Sequence, residues 1–128
     1  MHLDHVGIAT DDVESFAALY GDVLDVAVVH EEEFGEMNVV FLDAGGAYIE
    51  ALEPLTDESA IARFLGRNGA GLHHLAFAVE DLEDVLSTVS DRGLQLIDET
   101  PRDGAWGHTV AFVHPDSTGG VLVEFVEH

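Results

Sequence analysis

Leu3-Asp4-His5-Val6-Gly7-Ile8-Ala9 and Leu72-His73-His74-Leu75-Ala76-Phe77-Ala78 are two copies of one pattern, an apolar stretch with a histidine at its third position. One constant shift lays His5 on His74, Leu3 on Leu72, Ala9 on Ala78, Asp12 on Asp81 and Glu14 on Glu83. At the far end of each copy, Tyr48-Ile49-Glu50-Ala51-Leu52 lies over Leu122-Val123-Glu124-Phe125-Val126, after a slightly longer loop in the second copy. An internal repeat of this kind is a strong guide to architecture. It also duplicates two ionisable residues, a histidine and a glutamate, within segments that otherwise read as apolar strands.

Working outward from these stretches, the alternation and branched residues of 3–9 predict a strand. Thr10-Asp11-Asp12 offers capping side chains for a helix, with Val13, Phe16, Ala17, Leu19 and Tyr20 as its apolar stripe and Gly21 as its end. Strands are expected at 26–30, 38–42 and 47–52, with Glu31-Glu32-Glu33 as a solvated turn and Ala44-Gly45-Gly46 as a hairpin turn. The second copy repeats this order. Strands are expected at 72–79, 94–98, 109–114 and 121–126, and a helix opened by Glu80-Asp81 has Leu82, Val85, Leu86 and Val89 as its inner face. The expected fold class is α+β, two βαβββ modules in a pseudo-twofold arrangement. The modules span about 1–54 and 72–128, and the connector of about 55–71 carries a short helix over 60–67. The whole reads as one domain.

Side chains alternate between the faces of a strand. His5 therefore shares a face with Gly7 and Ala9, and His74 with Ala76 and Ala78, small neighbours that leave room for a ligand. His73 points to the opposite face and reads as structural. A buried, unpaired carboxylate costs several kcal/mol, so Glu50 and Glu124 each need a cation or a hydrogen-bond donor. A single strand histidine is more often structural than ligating, but the repeat couples all four positions. His5, Glu50, His74 and Glu124 together make a neutral site around a divalent ion. Mixed nitrogen and oxygen donors suit Co, Mn, Zn, Ni or Mg without choosing among them. His2, His30, His108, His114 and His128 have no repeat partner and read as surface or loop residues.

Composition excludes several classes. Cysteine is absent, which removes disulfides and thiolate zinc sites, and no apolar run approaches a membrane span. The first residues lack a signal-peptide pattern, so a cytoplasmic protein is expected. Asp and Glu number 26 against four arginines and no lysine, for a net charge of −22, which excludes nucleic acid as a partner.

Several stretches carry a family resemblance: 3–9; Glu53-Pro54-Leu55-Thr56-Asp57-Glu58-Ser59 with Ala62-Arg63-Phe64-Leu65; Gly69-Ala70-Gly71-Leu72-His73-His74-Leu75-Ala76; and His114-Pro115 followed by Gly119-Gly120-Val121-Leu122-Val123-Glu124. By these the chain resembles the vicinal oxygen chelate superfamily and, within it, the methylmalonyl-CoA epimerases. The resemblance implies one divalent metal ion held by His5, Glu50, His74 and Glu124. It implies a CoA thioester substrate, epimerised by removal and return of the C2 proton through an enolate, and a homodimer. Glu124 is implied as an acid/base. Some epimerases carry a second catalytic glutamate on the strand preceding that of Glu50, where this chain has Asn38-Val39-Val40. Glu50 is the substitute candidate. Arg63, Arg67 and Arg102 are candidates to meet the substrate's phosphates, although surface arginines more often only solubilise. The same fold also serves a glyoxalase I-type lyase acting on a hemithioacetal, and metal-free binding proteins of the bleomycin-resistance type.

The acidity fits a salt-adapted, halophilic cytosol, because near 1 M salt the Debye length is about 3 Å and surface carboxylates cease to repel. Dialysis to low salt is expected to unfold the protein, and unchanged circular dichroism after dialysis would remove that explanation.

Overall fold

The computed structural model describes residues 1–128. Its eight strands form two runs of hydrogen-bonded neighbours, β2-β3-β4-β1 from the first copy and β5-β8-β7-β6 from the second. They are β1 (His2–Ala9), β2 (Val28–Phe34), β3 (Met37–Asp43), β4 (Tyr48–Pro54), β5 (Gly71–Ala78), β6 (Arg102–Asp103), β7 (Thr109–Val113) and β8 (Leu122–Glu127). Helices are α1 (Val13–Ala18), α2 (Ala60–Asn68) and α3 (Leu82–Asp91). The expected mixed α+β class and doubled β-α-β-β-β order are borne out. Two compact units form, one of His5–His73 and one of Met1–Asp4 with His74–His128.

In the unit of His5–His73, Asp12 caps α1 by accepting the Glu14 and Ser15 amides at 3.0 and 3.2 Å. The Ser15 hydroxyl and amide, together with the Glu14 amide, hold the exposed Asp12 carboxyl below its ordinary range. Val13, Phe16, Ala17 and Tyr20 cover Val40, Leu42 and Ala51 of the sheet. Two expectations need correcting in this segment. Leu19 is exposed rather than part of the stripe. Gly21 does not stop the helix, since a wider turn runs through it over Leu19–Val23, closed by the Leu24 amide on the Leu19 carbonyl.

The Glu31-Glu32-Glu33 run is not a turn. It lies within β2, opposite Val40, Val39 and Asn38. The turn is displaced to Gly35 and Glu36, whose φ angles of 56° and 63° match a two-residue hairpin. β2 is a sheet edge, where charged side chains stay solvated and discourage pairing with another chain. The run therefore satisfies strand geometry and solvation together, which a strand closed in on both sides would not permit. Beyond β4, Ser59 caps α2 through the Ala62 amide, and Gly69, at φ 74°, ends it.

The unit of Met1–Asp4 and His74–His128 repeats the plan. Asp81 caps α3, and Leu82 and Leu86 pack with Ala111, Val113 and Phe125, flanked by Val85 and Val89 as expected. The strand expected at 94–98 is reduced to a single bridge, Leu96 to Val113. Its regular ladder fails because the Asp98 carboxylate itself accepts the Phe112 amide at 2.9 Å, while the Ile97 and Asp98 amides crowd one carbonyl, that of Phe112. Ladder pairing resumes at β6, between the strands expected at 94–98 and 109–114.

Gly104 is required where it stands, because a Cβ there would lie 2.6 Å from a Val110 methyl carbon. Gly104→Ala is expected to cost about 1–3 kcal/mol by overpacking, read from the urea midpoint at unchanged m-value.

Candidate metal-binding and active site

Both halves of the site are built by the same strand arithmetic. β1 runs parallel to β4 with Gly7 opposite Glu50, and β5 runs parallel to β8 with Ala76 opposite Glu124. In each pair the histidine lies two residues before the small residue, so histidine and glutamate share a face on neighbouring strands. Glycine or alanine beside the carboxylate leaves the space into which the imidazole leans. His5 Nε2 approaches Glu50 Oε1 to 3.3 Å, and His74 Nε2 approaches Glu124 Oε1 to 3.2 Å. All four residues are buried, with relative exposures of 3, 6, 4 and 6% for His5, Glu50, His74 and Glu124.

The unit of His5–His73 thus holds one buried imidazole–carboxylate pair, His5 with Glu50, and the unit of Met1–Asp4 with His74–His128 holds another, His74 with Glu124. Buried imidazoles and carboxylates, in a chain with no lysine, have the donor chemistry of a divalent cation site.

Two residues that sequence reasoning missed complete the pattern. Phe41 is the cross-strand partner of Glu50, and Phe112 that of Glu124. Phe41 sits edge-on to His5 at 5.7 Å, and Phe112 edge-on to His74 at 5.7 Å. The signal was present, since Val39-Val40-Phe41-Leu42 and Val110-Ala111-Phe112-Val113 are repeat-related, but only the strand register shows that the rings face the histidines. Val39, buried, accompanies Phe41 on the first face, and Ala76, Val110 and Val126 pack around Phe112 on the second.

Two further glutamates repeat. Three residues beyond each strand glutamate of the site, Glu53 accepts the Val13 amide at 3.1 Å and Glu127 accepts the Leu82 amide at 3.0 Å. Each therefore caps the helix of its own unit. Glu53 also accepts the Asn38 side-chain amide at 2.8 Å. Asn38 thus faces the helix side, and the residues of β3 beside it on the site face are Met37 and Val39.

The remaining histidines are scattered. His30 lies in β2, 2.9 Å from Glu32 and with its ring beside Phe41. His73 packs edge-on against Phe64, consistent with a structural role. The His114 ring accepts the Asp116 amide, and His128 pairs with the buried Asp4. Arg63 is bound to the Glu58 carbonyl at the start of α2.

With the geometry in hand, comparison with known proteins defines the class. Residues 4–112 match the model of the Glyoxalase/Bleomycin resistance protein/Dioxygenase superfamily, and the chain belongs to that superfamily. It is 44% identical over 127 residues to the uncharacterized protein YqjC of Bacillus subtilis, covering 98% of this chain and 91% of that one. It is 38% identical over 129 residues to the mitochondrial methylmalonyl-CoA epimerase of Dictyostelium discoideum, covering 98% and 77%. The crystal structure of methylmalonyl-CoA epimerase from Mycobacterium tuberculosis superposes with a TM-score of 0.93 at 37% identity, covering 98% and 87%. Relatives bearing the epimerase name thus extend along nearly the whole chain, and they support an epimerase.

Proposed function

We propose that this protein interconverts the two C2 epimers of methylmalonyl-CoA with one divalent metal ion. The observation that carries the reading is the doubled His–Glu constellation at equivalent strand registers, Gly7 opposite Glu50 and Ala76 opposite Glu124. The epimerase names of the Dictyostelium and Mycobacterium relatives support the substrate.

In this reading His5, His74, Glu124 and Glu50 hold the ion, within one domain of residues 1–128. The ion supplies fixed positive charge against the oxygen that becomes negative when the C2 proton leaves. Glu124, ionised, takes the proton from one face of C2, and Glu50, entering the cycle protonated, delivers its proton to the other face, the two exchanging roles in the reverse direction. Epimerisation requires both faces, which is why carboxylates from both copies are needed. Phe41 and Phe112 hold the two imidazoles edge-on, and with Val39 and Val110 they line the face with apolar surface that excludes water. The site strands leave little freedom to these side chains, so the reacting groups are positioned before substrate arrives.

Glu50→Gln keeps an oxygen donor but cannot carry a proton. It is expected to retain the ion by elemental analysis while slowing exchange of the C2 hydrogen of methylmalonyl-CoA in D₂O by about 10²–10⁴-fold. Full exchange in that variant rejects Glu50 as the second base. His74→Ala is expected to lose metal during dialysis, and an unchanged metal content would reject the ligand assignment. A glyoxalase-type lyase would show no C2 exchange with this substrate.

A further inference from the structure

The second unit carries an arginine on its site face. Arg102 is the cross-strand partner of Val110, and Val110 shares its face with Phe112, the partner of Glu124. The guanidinium carbon of Arg102 lies 5.2 Å from the centre of the Phe112 ring, and that ring sits 5.7 Å from the His74 imidazole. One aromatic ring thus separates a permanent cation from a proposed metal ligand.

The arginine is held in place. Its Nε donates to Asp98 Oδ1 at 3.1 Å, while Asp98 Oδ2 accepts the Phe112 amide at 2.9 Å. The carboxylate that breaks the ladder at 94–98 therefore ties the guanidinium to the strand bearing Phe112. With Nε engaged and the guanidinium carbon over the ring, the terminal nitrogens are left to donate to a carboxylate. The side chain is half-exposed, so a ligand can reach it. The other arginines belong to helices: Arg63 and Arg67 lie on α2, and Arg92 ends α3. In a chain of net charge −22, an arginine stacked on the site face stands apart from them.

We propose that Arg102 determines specificity by binding the free carboxylate of a malonyl-type acyl group, so that acyl-CoA esters bearing that carboxylate are preferred over those lacking it. The assignment rests on the CoA thioester reading above. The phosphates of CoA lie at the far end of the pantetheine arm, whereas Arg102 is adjacent to the ring that supports His74. The acyl carboxylate is the anionic group of the substrate that arrives at this position. Asp98 and Phe112 act through Arg102 by holding its guanidinium in place.

The test compares malonyl-CoA with acetyl-CoA, which differ by that carboxylate, in titrations of metal-loaded wild type, Arg102→Gln and Arg102→Lys. Wild type is expected to prefer malonyl-CoA, and Arg102→Gln to lose about tenfold to hundredfold in malonyl-CoA affinity while acetyl-CoA affinity stays unchanged. Arg102→Lys is expected to retain part of the preference, and KM for methylmalonyl-CoA to rise more than kcat falls in both variants. Equal losses for both esters would place the contact on the CoA portion and overturn the proposal. Unchanged affinities would make Arg102 a solubilising charge, with the same consequence. If wild type bound neither ester, the CoA thioester reading itself would fail and the assignment with it.

Discussion

Two carboxylates and two imidazoles inside β-strands are the constraint on which the rest of this structure depends. Removing a carboxylate from water without compensation costs several kcal/mol, a large share of the stability of a domain this size. Glu50 and Glu124 each lie against a histidine of the neighbouring parallel strand, at 3.3 and 3.2 Å. The parallel registers, the small residues Gly7 and Ala76, and the edge-on phenylalanines all serve this one arrangement.

The glutamates sort by strand parity. Glu50 and Glu53 lie three apart on β4, so they point to opposite faces, and the same holds for Glu124 and Glu127 on β8. One member of each pair meets the site histidine, and the other caps the helix packed against the opposite side. A single short strand thereby links helix position to site geometry. This gives a physical reason for four acidic residues in strands that are otherwise apolar, and it separates chemical from structural roles without appeal to sequence neighbours.

Charge distribution follows the same division. The abundant carboxylates lie chiefly on exposed positions, including the edge strand β2, where they keep the sheet from pairing outward. Positive charge is scarce, so the placement of each arginine carries more information than it would in a balanced chain. Arg102 is fixed by Asp98 and stacked on Phe112, whereas Arg63 is tied to a backbone carbonyl of its own helix region.

The repeat, the element order, the helix caps at Asp12 and Asp81, and the choice of His5, Glu50, His74 and Glu124 as candidate site residues were all legible in the residues. Each is encoded locally or through the repeat. The strand status of Glu31-Glu32-Glu33, the loss of a strand at 94–98 and the wide turn through Gly21 were not, because each depends on a hydrogen-bond partner outside the segment itself. An edge position admits a charged strand. A side-chain acceptor at Asp98 displaces a ladder bond, and α1 yields to the demands of Val26 pairing with Tyr20. Nor did the chain reveal that Phe41 and Phe112 face the histidines or that Arg102 shares their surface. Composition and periodicity determine which residues occur at which face of their own element. Only tertiary structure decides which faces and which registers meet, because that choice is set by pairing between strands far apart in the chain.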